Sequence, residues 1–169
     1  ELVNQSEKNL SIEYQIPQIN EGKYHRPYLA IWITDTKNKS VRHLMLLGES
    51  ERWAKENTRW WRRVGRKIPG VLEAVARPTR LPGKYHLMWN YLNDKGQPVE
   101  PGKYWLHLEA AREGGGHDYQ KLSIDTRIDW QEVRLPAKGE LGEVALRKEQ
   151  SSSLSVQLNN PIKVVEVRP

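Results

Sequence analysis

Residues 82–104 constrain the fold more than any other part of this sequence. Two short apolar runs, residues 84–89 and 104–108, flank a segment rich in Asn, Asp, Gly and Pro. Apolar and polar side chains alternate in both runs, which is typical of strands that bury one face. The prolines between the runs cannot donate to a strand ladder and so belong in a loop. We therefore predict a long-looped β-hairpin whose buried face consists of Tyr85, Leu87, Trp89, Tyr104, Leu106 and Leu108.

Short strand-like segments continue on both sides of this hairpin. Residues 24–34 are apolar on both faces at their centre, which predicts a central strand covered on both sides. Residues 113–116 form a tight turn that returns the chain antiparallel to the hairpin. The other predicted strands are residues 11–16, 41–47, 119–125, 129–135, 142–147, 154–158 and 163–167. This pattern predicts a mainly β fold, an Ig-like antiparallel β-sandwich with one amphipathic helix inserted.

The inserted helix is predicted over residues 50–67, where the apolar period changes, with Ser50 as its N-cap. One face collects Trp53, Asn57, Trp60, Trp61 and Val64. Arg59, Arg62 and Arg66 gather on the opposite face. We expect Trp60 and Trp61 to pack on the sandwich and the arginines to be solvated or to contact an anionic membrane surface or acidic protein. Nucleic acid is not expected, because base stacking needs exposed aromatic rings beside the cations.

Length and composition limit the protein classes. The 169 residues predict a flexible N-terminal segment, residues 1–10, and one β-sandwich domain, residues 11–169. The absence of Cys excludes disulfides, Cys-ligated zinc and thiol catalysis. No apolar run reaches the roughly 18 residues that a membrane span requires. The first residue is Glu1 rather than Met, from which we predict an exported protein whose signal peptide has been removed.

Two histidines form the candidate metal site. If Trp89 lies opposite Tyr104 in the hairpin, His86 lies opposite His107. Cross-strand neighbours have Cβ atoms about 5 Å apart, which would let both imidazoles share one Cu or Zn ion. Two ligands make a weak site, however, and a solvated pair on the polar face stays open as the alternative.

No catalytic signature is present among the common motifs. The sequence has no G-x-S-x-G, no H-E-x-x-H and no P-loop. Glu109 is expected to form an ordinary cross-strand ion pair with Lys121. These observations favour a protein that is not an enzyme, although a catalytic triad or a carboxylate pair assembled from distant strands stays open.

Two groups of motifs resemble known families. The order Pro-Gly-x-Tyr, Trp-Asn, Asn-Asp-x-Gly, Pro-Gly-x-Tyr within residues 82–104 resembles the Ig-like domain of flagellar hook-capping proteins. Over residues 11–125, several motifs in order are similar to a family of predicted periplasmic proteins of unknown function. Those motifs are residues 24–28, Trp32, residues 60–61, residues 81–83 and residues 110–115.

The second resemblance implies a periplasmic location, because its members are encoded beside flavin transferases and PepSY-type membrane reductases in iron-linked gene clusters. It also raises covalent FMN as a cofactor to be tested. Residues 73–79 are similar to the consensus at which some periplasmic proteins accept covalent FMN, and Thr79 aligns with the acceptor. Ala76, Arg77 and Pro78 depart from that consensus. Because Pro78 drives Arg77 toward extended backbone, we expect Thr79 to be an exposed, unmodified loop residue.

From these features we predict a non-enzymatic periplasmic accessory or binding module linked to iron uptake or extracytoplasmic electron transfer. Its partner would be a membrane or periplasmic protein, and no cofactor is expected. The alternatives are a redox protein that carries flavin or a Cu or Zn ion, and a structural assembly module. Neither the oligomeric state nor the ligand follows from the sequence.

Overall fold

A computed structural model describes residues 8–20, 22–23, 25–48, 56–67, 70, 74–129 and 132–150 of the chain. The described strands are β1 Lys8–Ile16, β2 Tyr28–Asp35, β3 Ser40–Leu47, β4 Ala76–Arg77, β5 Gly83–Trp89, β6 Lys103–Ala111, β7 His117–Asp125, β8 Val133–Leu135 and β9 Val144–Gln150. The helix α1 spans Thr58–Arg63, and a 3-10 turn follows at Gly65–Lys67. The predicted mainly β fold is therefore confirmed.

The strands form two sheets that pack face to face as a β-sandwich. The four-stranded sheet has the order β5-β1-β9-β8, and the five-stranded sheet has the order β4-β3-β2-β6-β7. The pairings are antiparallel except for the short parallel contact of β4 with β3. As predicted, β2 is a central strand and is buried on both faces.

The main core lies between the sheets, and alternation along the strands supplies it. Leu10, Ile12 and Tyr14 of β1 face Ile31 and Leu106 of the other sheet. In the predicted inward set, Trp89, Tyr104, Leu106 and Leu108 are buried, and Tyr85 and Leu87 are partly buried against the same core. The predicted parity is therefore correct.

The predicted hairpin is wrong in its pairing. Strand β5 pairs with β1 in the four-stranded sheet, with Trp89 beside Leu10, whereas β6 pairs with β2 and β7 in the five-stranded sheet. Residues 90–102 therefore cross from one sheet to the other. A flexible connection of this length closes at little extra entropic cost, so the core contacts of the strands decide their partners. The β6–β7 hairpin, in contrast, forms as predicted.

Several boundaries differ from those predicted. β1 begins at Lys8, three residues before the predicted strand, and Leu10 is fully buried. α1 lies inside the predicted helical range, whereas Ser50 and Trp53 lie outside the described residues. The strands predicted at residues 154–158 and 163–167 also lie outside them. None of the described helices has the length and apolar character needed to cross a bilayer.

Candidate functional site

Helix α1 covers part of the outer face of the five-stranded sheet. Trp60 and Val64 pack on Ala30, Trp32 and Leu46, and these residues make a second, smaller core. Residue 65, just after the helix, is glycine, which leaves room for the Trp60 ring, because a Cβ there would lie 2.7 Å from that ring. As predicted, Trp60 is buried and Trp61 is partly buried, while Arg59, Arg62 and Arg66 are exposed.

A buried carboxylate anchors the start of this helix. Glu109 of β6 is fully buried and accepts the backbone N–H groups of Arg59 at 2.7 Å and Trp60 at 2.6 Å. His117 Nε2 lies 2.5 Å from the same carboxylate. Glu109 thus fills the role of a capping residue, since Asn57 makes no side-chain capping bond. The predicted Glu109–Lys121 pair is wrong, because the register places Tyr119 opposite Glu109 and Lys121 opposite His107.

Beside the helix, three neighbouring strands contribute one row of outward side chains. Trp32 of β2 lies next to His107 of β6, which lies next to Lys121 of β7. The His107 ring stacks on Trp32 at 4.7 Å and 8°. Its Nε2 is 2.7 Å from Thr34 Oγ1, and its Nδ1 is 2.7 Å from the Tyr119 hydroxyl. Each ring nitrogen therefore has a hydroxyl partner.

The protonation of this row follows from its burial. Desolvation, reinforced by the charges of Lys121 and Arg59, lowers the pKa of His107 from 6.5 to about 4. Burial is also the largest influence on Tyr119, and it raises the pKa of that phenol. At neutral pH His107 is therefore a neutral imidazole and Tyr119 a protonated phenol. The positive charge beside them comes from Lys121 and Arg59.

Between the row and α1 lies an open cleft of about 150 Å³, which we call the basic cleft. Its floor is Trp32 and His107, and its rim carries exposed cations and polar groups. The residues that line it are Trp32, Thr34, Asn38, Arg59, Arg63, Val64, His107, Tyr119 and Lys121.

Aromatic rings hold two cations of this cleft in place. The guanidinium of Arg59 lies 3.9 Å from the centre of the Tyr119 ring, and Lys121 Nζ lies 4.2 Å from that of Trp105. Among the described residues, no carboxylate forms an ion pair with Arg59, Arg63 or Lys121. The rings carry no net charge, so these cations, which no described carboxylate engages in an ion pair, are available to a ligand.

Comparison with known proteins supplies a family. The model of the family described as predicted periplasmic protein (DUF2271) matches residues 9–143, well over half of the chain. The chain belongs to this family. The description agrees with the predicted periplasmic location, and the match extends beyond residue 125, where the sequence resemblance ended. No curated protein and no solved structure matches the chain, so the likeness to hook-capping proteins stays an interpretation of the motif.

The predicted metal pair is not assembled in this DUF2271 fold. His86 lies in β5 of the four-stranded sheet and is exposed on its outer face, where it contacts Ser11. His107 lies on the outer face of the five-stranded sheet. The pair was wrong because it depended on a β5–β6 hairpin. In the part of the chain that the structure describes, no three potential metal-binding side chains of His, Cys, Asp or Glu cluster together.

Thr79, the candidate flavin acceptor, lies away from the basic cleft. It follows β4, which pairs with β3 at Leu46 and Leu47. The cleft is at the other end of the sheet, where Thr34 of β2 pairs with Ser40 of β3. Thr79 is half-buried rather than fully exposed.

Sequence reasoning missed Lys121, Tyr119 and Arg63 as site residues. Their meeting depends on where α1 rests on the sheet, and no local pattern reports that. One signal did point to the region. A central strand that is apolar on both faces requires a cover on the outer face of its sheet, and the tryptophan side of the predicted helix was the available cover.

Proposed function

We propose that this protein is a non-enzymatic binding module of the periplasm that recognises an oxyanion-bearing ligand in the basic cleft. The observation that carries the proposal is that Arg59, Arg63 and Lys121 line one cleft and that none of them forms an ion pair among the described residues. An oxyanion between them would accept charge-assisted hydrogen bonds, which are roughly twice as strong as neutral ones. Arginine guanidinium groups match phosphate and carboxylate geometry particularly well.

The size and lining of the cleft support a small polar ligand. The cleft, of about 150 Å³, is open to solvent, so a phosphate-sized group with some attached atoms can enter it. Asn38 and Tyr119 add uncharged hydrogen-bonding groups at the rim. The Tyr119 and Trp105 rings already hold Arg59 and Lys121 in position. Binding a ligand therefore costs less side-chain entropy than it would at freely moving cations.

The same contacts disfavour single-stranded nucleic acid. Bases bind such surfaces by stacking on free aromatic faces. In this cleft, Arg59 covers one face of Tyr119, and Trp32 is buried with its ring stacked on His107. The interleaved aromatic side chains therefore serve the cations of the protein itself.

The finer part of the proposal is an accessory role in extracytoplasmic electron transfer or iron uptake. Its support is the motif resemblance to proteins encoded beside flavin transferases and PepSY-type reductases. Pull-down from the membranes of cells grown under iron limitation tests this role. Capture of a membrane reductase by the parent, and not by Lys121→Glu, is the expected result. Equal capture by both proteins would show that the partner does not bind through Lys121 of the basic cleft.

The ligand itself is tested by titration calorimetry with orthophosphate at about 0.15 M ionic strength, where the screening length is about 8 Å. We expect saturable binding at one site. Lys121→Gln should weaken it by about tenfold, because one charge-assisted hydrogen bond is worth about 1.5–3 kcal/mol.

Arg134→Gln is the matched control. Arg134 is equally a surface cation, but it pairs with Glu132 and Glu143 on the other sheet. Its loss should leave the phosphate affinity unchanged. Absence of phosphate binding, or equal weakening in both variants, would contradict an oxyanion site in the basic cleft.

A further inference from the structure

A second cleft lies directly beside the basic cleft. Its volume is about 260 Å³, and its lining is Thr58, Arg59, Arg62, Arg63 and His117. Arg59 and Arg63 therefore line both clefts. Residues at i, i+3 and i+4 are neighbours on a helix, so Arg59, Arg62 and Arg63 form one continuous cationic edge of α1.

Arg59 stands on the boundary between the two clefts. Its guanidinium lies over the ring of Tyr119, the central member of the outward row His117, Tyr119 and Lys121 on β7. At 3.2–3.4 Å per residue, His117 and Lys121 are about 13 Å apart along the strand. His117 belongs to the second cleft and Lys121 to the basic cleft. The pair of clefts is thus an elongated groove with Arg59 at its middle.

Each half of the groove has a cation of its own. Lys121 lines the basic cleft alone, and Arg62 lines the second cleft alone. Within the described residues, neither cation has a carboxylate partner. Glu109 is the nearby carboxylate, but it is fully buried and engaged by two backbone N–H groups and His117. Positive charge therefore extends along both halves.

We propose that the groove binds one elongated ligand with two phosphate-like groups, one on each side of Arg59. This inference rests on the proposed function, because the first group is the oxyanion assigned to the basic cleft. Arg63 and Arg59 contact both groups, Lys121 holds the first and Arg62 holds the second. A linear ligand with a short spacer fits this arrangement, whereas a compact oxyanion fills only one half.

The test uses linear α,ω-bisphosphonates of increasing chain length, titrated at fixed ionic strength. All titrations are made at one pH, and the affinities are compared after allowance for the charge state of each probe, so the remaining variation reports the spacing and the spacer. We expect affinity to pass through a maximum at one intermediate length and to exceed that for orthophosphate by at least about tenfold. A flat or steadily changing series would overturn the two-group groove.

Two variants assign the halves. Arg62→Gln should lower affinity for the best bisphosphonate by about tenfold and change that for orthophosphate less than about twofold. Lys121→Gln should weaken both ligands. Arg62 is exposed, and thermal unfolding of the variant verifies that its fold is retained. An equal effect of Arg62→Gln on both ligands would contradict the assignment.

The failures of the two proposals are distinguishable. If neither orthophosphate nor any bisphosphonate binds, the oxyanion site and the groove are both overturned. If orthophosphate binds in a Lys121-dependent way and the bisphosphonates show no preferred length, the basic cleft stands and the two-group groove is overturned.

Discussion

The two outer faces of the sandwich both carry cations, but they place them differently. On the four-stranded sheet, Arg134 pairs with Glu132 and with Glu143 at 2.5 Å, and Arg147 lies 3.8 Å from Glu13. On the five-stranded sheet, Arg59 and Lys121 lie on aromatic rings. A carboxylate positions a cation and cancels its charge, whereas a ring positions it and leaves the charge for a ligand.

The carboxylates of the two faces also differ in whether they neutralise surface cations. The Glu132 side chain is 34% exposed and pairs directly with Arg134 and Arg147 at the surface. Glu109 is 0% exposed and binds the backbone of α1. On the four-stranded sheet these acids neutralise exposed arginines, whereas the Glu109 carboxylate is withdrawn beneath the helix that displays the cations.

The largest expected effect on stability is that of Glu109→Ala, with Glu132→Ala on the other face as the comparison. Glu109→Ala leaves the buried N–H group of Trp60 and the part-buried N–H group of Arg59 without an acceptor, and a buried unsatisfied group costs about 1–3 kcal/mol. We expect the free energy of unfolding to fall by about 3 kcal/mol or more. Glu132→Ala should change it by no more than about 1 kcal/mol, as for surface ion pairs. Urea denaturation measures both, and equal losses would refute the anchoring role of Glu109.

The next effect depends on pH and concerns His107. Its folded pKa of about 4 lies below the unfolded value of 6.5, so the unfolded chain binds more protons between these values. The contribution of the neutral imidazole to stability is complete above pH 6.5 and is lost as the pH falls toward 4. In His107→Gln, the free energy of unfolding should therefore fall less steeply across this window.

Denaturant titrations at several pH values, with Arg134→Gln as the control, measure this slope. The control variant does not remove a group that titrates in the window, so it should retain the parent slope. An unchanged slope in His107→Gln would show that His107 is not held neutral in the folded protein.

A smaller effect separates paired from unpaired cations. Arg63→Gln relieves repulsion from neighbouring cations, so it should leave stability unchanged or slightly higher at low salt. Arg134→Gln loses its ion pairs and should lower stability slightly. Both changes should lie within about 0.5 kcal/mol and converge at high salt, where exposed charges are screened. Thermal unfolding at two salt concentrations measures both stability changes. Equal losses of stability in both variants would contradict the distinction between paired and unpaired cations.

The smallest expected effect is no effect, at Thr79. After co-expression with a flavin transferase, the intact mass should equal that of the chain alone, because Arg77 and Pro78 depart from the acceptor consensus. A mass gain of one FMN that vanishes in Thr79→Ala would favour the flavin-carrying alternative. It would also place the functional group at the opposite end of the sheet from the basic cleft.

Much of the strand structure was determined by the sequence itself. Alternation is a local property, and it correctly separated the inward Trp89, Leu106 and Leu108 from their outward neighbours. The tight turn at residues 113–116 also specified the β6–β7 hairpin, because so short a connection places the two strands that it joins side by side and antiparallel. The apolar character of β2 on both faces correctly indicated a covered central strand.

Tertiary structure alone decided which strands pair across long connections and which side chains meet on the outer face. Alternation shows which face of β5 is buried but not which strand lies beside it, and the 13-residue segment 90–102 lets either sheet receive it. For this reason His86 and His107 ended on opposite faces. Arg63, Lys121 and His107 are distant in sequence, and only the docking of α1 on the sheet, anchored by Glu109, makes them one site.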